Sequence, residues 1–492
     1  MTRNAIRQDS TIDRRRWLTS TAAGIQAAVL TDLFSKDIYG MEAPKARTTF
    51  DLKPQSTHHP PMANGVIHLF MNGGPSQMDL FDPKPELDKR HGEDYFSELA
   101  SEVENPTVAG ALMKCPYKFS QHGESGQWVS DALPHTAEIV DELAIIKSMY
   151  TTNLTHEPAL FKIHGGQELP GMPSVGAWVA YGLGTENQNL PAYVVLDDPL
   201  GLPVNRAQSW QSGFLPPLYQ GTRFRSTGEP VLNLNREFEQ SDEIASLERE
   251  LIAGLDRIHR DKRPGQLRLD ARMASYELAA RMQLEATDAL DLSKETQATL
   301  DMYGIGKEPT DNYGRRCLYA RRLIERGVRF VQLYINAQIW DNHTGLTAGC
   351  KGACDRTDLP IAGLIRDLKQ RGLLDSTLVV WGGEFGRLPI AQLPPNKDTA
   401  NAGRDHNKNA MITWMAGGGV KSGLSVGATD ELGFAAVEDK ISVADWHATI
   451  LNQLGLNYEH LYFERNGLKD RLTGVEEAHI IKSILKSPPH NK

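Results

Sequence analysis

Several short runs of the chain are apolar almost throughout, and most end in a glycine-rich or polar turn. Gly65-Val66-Ile67-His68-Leu69-Phe70-Met71 runs directly into Asn72-Gly73-Gly74-Pro75-Ser76. Val328 to Tyr334, Thr377 to Trp381 and Ala410 to Trp414 have the same apolar character, the second closing on Gly382-Gly383 and the third on Ala416-Gly417-Gly418-Gly419. Runs this short and this apolar predict strands buried on both faces. Pro191 to Leu196 predicts a further short strand, and Ala137 to Met149 a helix followed by a strand. Pro199 to Gly221 is a Pro/Gly-rich loop. Between strands, Ile361 to Leu373 predicts a helix with Ile361, Leu364, Ile365 and Leu368 on one face. Alternating strand and helix predict an α/β fold, with a parallel sheet covered by helices on both faces. The strands at Val66, Val328 and Thr377 are expected together in its central layer, and a site beyond their carboxyl ends.

Two regions depart from that rhythm. Residues 240–302 show long helical periodicity with many charges, with Ile244, Leu247, Leu251 and Leu255 near one stripe. A second helical run covers Leu267 to Leu300, so the region reads as a helical insertion. Residues 46–64 are polar and Pro-rich, which predicts a linker.

The N-terminus reads as an export signal. Asp13-Arg14-Arg15-Arg16-Trp17-Leu18 fits the twin-arginine pattern, and Trp17 to Thr31 is uncharged and mildly apolar. That stretch is too short to span a bilayer comfortably. The expected organisation is a signal peptide over 1–45, a linker over 46–64 and an α/β domain over 65–486, exported to the periplasm or beyond. No later stretch is apolar enough to form a transmembrane segment.

Composition narrows the function. The chain has 492 residues, 40% of them hydrophobic, ample for a large core. The net charge of −9 argues against nucleic acid as a partner. It leaves open an anionic substrate held locally by a metal or an arginine. Four cysteines are too few for a disulfide scaffold, and Cys350 and Cys354 read as a buried or free thiol pair.

Ligand-type residues gather beside the predicted strands. Trp340-Asp341-Asn342-His343-Thr344-Gly345 follows the strand at Val328, and Gly383-Glu384-Phe385-Gly386-Arg387 follows the strand at Thr377. Gly403-Arg404-Asp405-His406-Asn407 precedes the strand at Ala410. Mixed imidazoles and carboxylates suit a divalent ion, Zn²⁺, Mn²⁺ or Ca²⁺. Asp341, His343, Glu384 and His406 are expected to converge on one pocket, with Asp405 behind them or as an alternative ligand. Earlier, Thr155-His156-Glu157-Pro158 precedes a helical turn, where a hydroxyl or imidazole suits a nucleophile or an anion site. Ser76, Asp79, Asp82 and His447 read as turn, surface or packing residues. Arg387 fits either an anion clamp or a structural ion pair.

The run "IAGLIRDLKQRGLLDSTLVVWGGEFG" resembles the helix–strand–turn that presents paired metal ligands in the alkaline-phosphatase/sulfatase superfamily. The chain from Val66 to Leu485 resembles more closely a secreted bacterial family known as domain of unknown function 1501. The matching runs are "HLFMNGGPSQMDLFDPKP", "GFLPPLYQGTRF", "WDNHTG", "GGEFGRLP", "GRDHN" and "DWHATILNQLGL". The resemblance implies an alkaline-phosphatase-like three-layer sandwich with a mostly parallel central sheet. It implies Asp341, His343 and His406 as ligands of one metal, and Thr155 or His156 at the nucleophile position. Asn72 stands where a strand-end Asp ligand is usual, and Phe385 where a His is usual. Sulfatase formylglycine chemistry is not supported, because no Cys occupies the nucleophile position. Two functions follow as expectations. One is a metal-dependent hydrolase of phosphate or sulfate esters acting on a small-molecule or glycan ester. The other is a non-catalytic exported binding or scaffold protein with the same fold.

Overall fold

The computed structural model describes residues 50–225, 241–263, 266–335 and 338–486. The signal-peptide expectation falls outside them. Among the described residues one nine-stranded sheet organises the chain. Its strands are β1 (Gly65–Phe70), β2 (Leu143–Tyr150), β3 (Tyr193–Leu196), β4 (Thr222–Phe224), β5 (Phe330–Tyr334), β6 (Thr377–Gly382), β7 (Met411–Ala416), β8 (Leu424–Val426) and β9 (Ile441–Ser442). They are ordered β8-β2-β7-β6-β1-β5-β3-β4, with β9 also on β2. The expected central layer is present: β1 pairs in parallel with β5, Val66 opposite Phe330, and with β6, Val66 opposite Leu378.

The expected parallel sheet needs one correction. β7 is antiparallel to both neighbours, β6 and β2. The chain leaves β6 at the sheet's carboxyl edge and wanders there through the short ribbon pair Gly386–Arg387 and His406–Asn407. It re-enters from that same edge with no helical crossover to carry it back, so the next strand runs the other way.

Helices cover both faces. His68 and Phe70 point to the layer of α1 (His156–Gly165), α2 (Val175–Leu183) and α7 (Val443–Gln453). Phe70 lies 4.5 Å from the His164 ring and His68 5.5 Å from that of Trp446. The alternate positions meet α5 (Asp311–Glu325), since a Cβ on Gly65 would come within 2.9 Å of Ile324. Behind α5 lies α6 (Leu346–Gln370). The helices α3 (Asp242–Asp261) and α4 (Leu267–Leu290) fall within 240–302.

Two expectations differ in detail, and one helix was not anticipated. α6 begins at Leu346 and runs through Pro360, whereas the sequence places the helix start after that proline. Proline costs an interior helical hydrogen bond, but Cys350, Cys354, Thr357 and Ile361 are all buried, and packing outweighs that cost. α5 carries no clear apolar stripe because its arginines are inside. Arg316 pairs with Asp198 at 2.7 Å and Arg321 with Asp367 at 2.9 Å. Residues 50–64, expected as linker, dock on the domain: Leu52 and Ala63 are buried, and Gln55 and Met62 donate to the carbonyls of Leu183 and Gln453.

Asp79 and Asp82, expected at the surface, are also buried. The Arg404 guanidinium grips Asp79 with Nε–Oδ2 at 2.8 Å and Nη2–Oδ1 at 3.0 Å. Thr429 donates to Asp82. Removing one member of a buried ion pair strands the other, at a cost of about 3–5 kcal/mol. Arg404→Ala is therefore expected to lower unfolding free energy by about that amount. Urea denaturation measures it, and a change under 1 kcal/mol would refute the pairing.

Candidate metal centre

The site forms at the carboxyl edge of the sheet because that is where its segments end. Asp341 and His343 follow β5, Glu384 follows β6, and His406 lies just before the returning strand β7. His156 is the first residue of α1, which follows β2. Sites of open α/β sheets lie at this edge.

Three imidazoles point their Nε2 atoms at one carboxylate. His343 Nε2 lies 3.0 Å and His406 Nε2 3.1 Å from Asp341 Oδ1, and His156 Nε2 lies 3.3 Å from Asp341 Oδ2. The Nε2 atoms of His343 and His406 are 3.0 Å apart. His156 and His406 turn Nδ1 outward to hydrogen-bonding oxygens, while His343 Nδ1 is buried without a hydrogen-bond partner. His156 Nδ1 meets Glu384 Oε1 at 2.8 Å, and His343 Nδ1 lies 3.5 Å from Asp405 Oδ1. His406 Nδ1 meets the Leu154 carbonyl at 2.7 Å and the Glu104 carboxylate. The outer carboxylates are fixed in turn. Glu384 accepts from the Gly73 N–H at 2.9 Å, and Asp405 accepts from the N–H groups of His406 and Asn105.

This arrangement fits a divalent metal. With each Nδ1 proton directed outward, three Nε2 lone pairs and the Asp341 oxygens face the same space. His156 Nε2 is buried without an aligned hydrogen-bond partner. Such a concentration of acceptors is unfavourable unless a cation or extra protons fill it. Ligands held tetrahedrally at 2.0–2.1 Å from Zn²⁺ are about 3.4 Å apart, near the 3.0–3.1 Å triangle of His343, His406 and Asp341. A carboxylate or carbonyl behind each imidazole is the usual support of a metal-binding histidine. Two groupings lie within reach of one ion: His156, Asp341 and His406, and His343, Asp405 and His406. The first is preferred because backbone N–H groups already engage both Asp405 oxygens.

Without an ion, protons take up the charge. Burial works against the charged form of His156, but Asp341 and Glu384 outweigh it and push its pKa up to about 9. Burial likewise opposes ionised Asp341. Hydrogen bonds from His156, His343 and His406 and the Arg387 charge overcome it, holding Asp341 far below the usual carboxylate range.

Of the expected residues, Asp341, His343, Glu384 and His406 come together, with Asp405 directly behind. Glu384 stands behind His156 rather than among the inward-facing atoms. His156 joins the inward-facing set instead of standing free as a nucleophile. Thr155 is exposed and its hydroxyl donates to Glu104 at 2.9 Å. Asn72 donates to the Ile335 carbonyl at 2.7 Å, and no hydrogen bond ties it to the imidazoles. Arg387 is no anion clamp. It is fully buried, donates to carbonyls of Gly73, Gly74, Trp340 and Arg404, and meets Asp341 at 2.8 Å. Phe385 packs its ring 4.3 Å from His406 and 4.8 Å from His156, closing that side of the centre with an apolar wall. Sequence reading misses Glu104. It lies in a polar surface stretch with no strand beside it, and no local signal marks it.

A mostly parallel α/β sheet carrying a three-histidine, one-aspartate centre at its carboxyl edge defines the class of this protein. The chain belongs to the family described as protein of unknown function DUF1501, whose model matches residues 63–485. No curated protein matches it. Solved structures to which it is similar include the lipoteichoic acid synthase LtaP from Listeria monocytogenes, at 11% identity, with 86% of this chain and 77% of that chain covered and a TM-score of 0.35. The phosphonate monoester hydrolase SpPMH from Silicibacter pomeroyi matches at 11% identity over 87% of this chain and 78% of that one, with a TM-score of 0.32. TAB5 alkaline phosphatase, as a His-to-Glu mutant with Mg bound, matches at 12% identity over 73% of this chain and 92% of that one, with a TM-score of 0.29.

Proposed function

We propose that this protein is an exported, metal-dependent hydrolase of phosphate or sulfate esters. The observation that carries the reading is the convergence of His156, His343 and His406 on Asp341, with His156 and His406 each backed by a hydrogen-bonding oxygen. His156, His406 and Asp341 would hold the ion, with His343 beside them, and this mixed N/O set favours Zn²⁺ or Mn²⁺ over the oxygen-seeking Ca²⁺. A divalent ion there supplies polarisation of an ester oxygen or acidification of a bound water. The chain's own groups do the rest. Glu384 and Glu104 keep the Nδ1 protons of His156 and His406 in place and their Nε2 atoms free. Arg387 fixes Asp341, and Phe385 excludes water from one side. Glu104 accepts the Thr155 hydroxyl proton in a hydrogen bond, the pairing of nucleophile and base that hydrolysis through a covalent intermediate requires. The ester class rests on the superfamily resemblance of the sequence.

Metal analysis of the purified protein, followed by a screen of chromogenic phosphate and sulfate esters, tests the proposal. Bound Zn or Mn near one ion per chain, with turnover abolished by a chelator, is expected. The alternative is a non-catalytic binding protein, which the Asn72 and Phe385 replacements favour. Absence of both metal and turnover would establish it over hydrolysis.

Export rests on the twin-arginine pattern at Arg14-Arg15. Replacing both with Lys should leave unprocessed precursor in the cytoplasm on immunoblots of cell fractions. Unchanged export would defeat this part of the reading.

A further inference from the structure

Among the described residues, the helix α3 leaves its apolar side uncovered. Ile244, Leu247, Leu251, Leu255 and Ile258 are 50%, 59%, 64%, 58% and 55% exposed. These residues form a stripe, which scattered surface leucines would not. Ile244, Leu251 and Ile258 are seven residues apart and Leu247 lies between the first two, the a and d spacing of a coiled-coil seam. The next d position is Gly254, where a Cβ would meet nothing within 4 Å. The helix spans 20 residues and is capped at its start by the Ser241 side chain. From Ile244 to Ile258 the seam is about 21 Å long.

Charge decides what covers it. Flanking the seam, the first half carries Glu248 and Glu250, and the second half and its end carry Arg257 and Lys262. Two parallel copies would set glutamate against glutamate. Two antiparallel copies set the acidic first half of one seam against the basic second half of the other. Layering Leu247 on Ile258 and Leu251 on the small Gly254 brings Glu250 of one chain opposite Arg257 of the other. A single closed, isologous interface of this kind makes a dimer and stops. An anionic membrane surface fits poorly, because the helix holds six acidic residues against three arginines.

We propose that α3 is a homodimerisation helix, pairing antiparallel with α3 of a second copy of this chain across the seam Ile244–Leu247–Leu251–Leu255–Ile258. The interface is independent of the metal centre and of any hydrolytic activity.

Sedimentation velocity on the full chain tests it, with far-UV circular dichroism as the folding control. The native protein is expected at twice the 54.5 kDa chain mass. Leu251→Glu, on an exposed position, should keep the helical signal and raise the dissociation constant about 100-fold or more. Glu250→Arg alone should weaken the dimer, and Glu250→Arg combined with Arg257→Glu should restore it, since the pair then matches with signs reversed. A monomeric native chain would overturn the proposal, whether the seam is then covered by residues 226–240 or binds anionic vesicles in a flotation assay. So would a dimer untouched by Leu251→Glu, or a double charge variant no better than the single one.

Discussion

Asp341→Asn is expected to empty the metal centre and abolish ester hydrolysis while leaving the fold in place. The replacement keeps the shape of the side chain but removes the charge on which three imidazoles converge. It also turns one of the two oxygens into an amide nitrogen, which cannot serve as a ligand. Even residues that only support ligands typically cost 10–100-fold in metal affinity, so loss of a ligand should cost about 100-fold or more. With the ion goes about 4 kcal/mol of charge stabilisation in the transition state, on the order of 1,000-fold in kcat/KM. Glu104→Gln separates support from ligation. It should weaken metal binding by about 10–100-fold without abolishing it. Metal content by mass spectrometry and ester turnover on the same preparations decide the matter. An Asp341→Asn protein with full metal and full turnover would end the metal-centre reading.

The sheet was legible because burial on both faces writes itself into sequence as unbroken apolar runs. β1, β5, β6 and β7 all stand where those runs predict strands. The direction of β7 was not legible, because it depends on a connection whose ordering lies in tertiary contacts between short ribbons. α5 was not read from the sequence. Its Arg316, Arg321 and Arg322 are interior only through partners elsewhere in the chain, Asp198, Glu295 and Asp367. Asp79 was misread, since its partner Arg404 is 325 positions away.

The candidate site was legible to the extent that its residues sit in glycine-bearing segments at strand ends. That placed Asp341, His343, Glu384 and His406 together. It could not tell an inward-facing atom from a supporting one, since that depends on which way a ring is turned. The geometry moves His156 inward and sets Glu384 and Asp405 behind imidazoles. Glu104 completes the support of His406 from a surface stretch that shares no motif with the rest.

A second large effect is expected far from the metal centre, in acid. His68, His164 and His447 are fully buried where β1 meets α1 and α7. The Gln332 amide, directly opposite His68 across the strand pair, lies 3.3 Å from both His68 Nδ1 and His164 Nε2. Donating its two protons there, it holds both rings neutral, while its own oxygen accepts from the Tyr193 hydroxyl. His447 Nε2 is spent on the Ile163 carbonyl at 2.8 Å. Burial, reinforced by His447, pushes the His68 pKa down to about 3. Burial, against the pull of the Ile163 carbonyl, brings His447 to about 3 as well, and burial lowers His164 well below its ordinary value. The unfolded chain takes up protons from pH 6.5 downward, and the folded chain refuses them until about pH 3. Stability is therefore intact above pH 6.5 and falls as pH drops through that window. At pH 4.5, two units below the unfolded value, His68 and His447 each cost about 2.7 kcal/mol. Together that is comparable to the whole stability of a typical domain, about 5–15 kcal/mol. Cooperative unfolding between pH 4 and 5 is expected at room temperature, followed by tryptophan fluorescence. His447→Gln, which can still donate to the Ile163 carbonyl but cannot take a proton, should move the acid midpoint downward. A midpoint unmoved by His447→Gln, or a native protein that stays folded at pH 3.5, would show that these histidines do not govern acid stability.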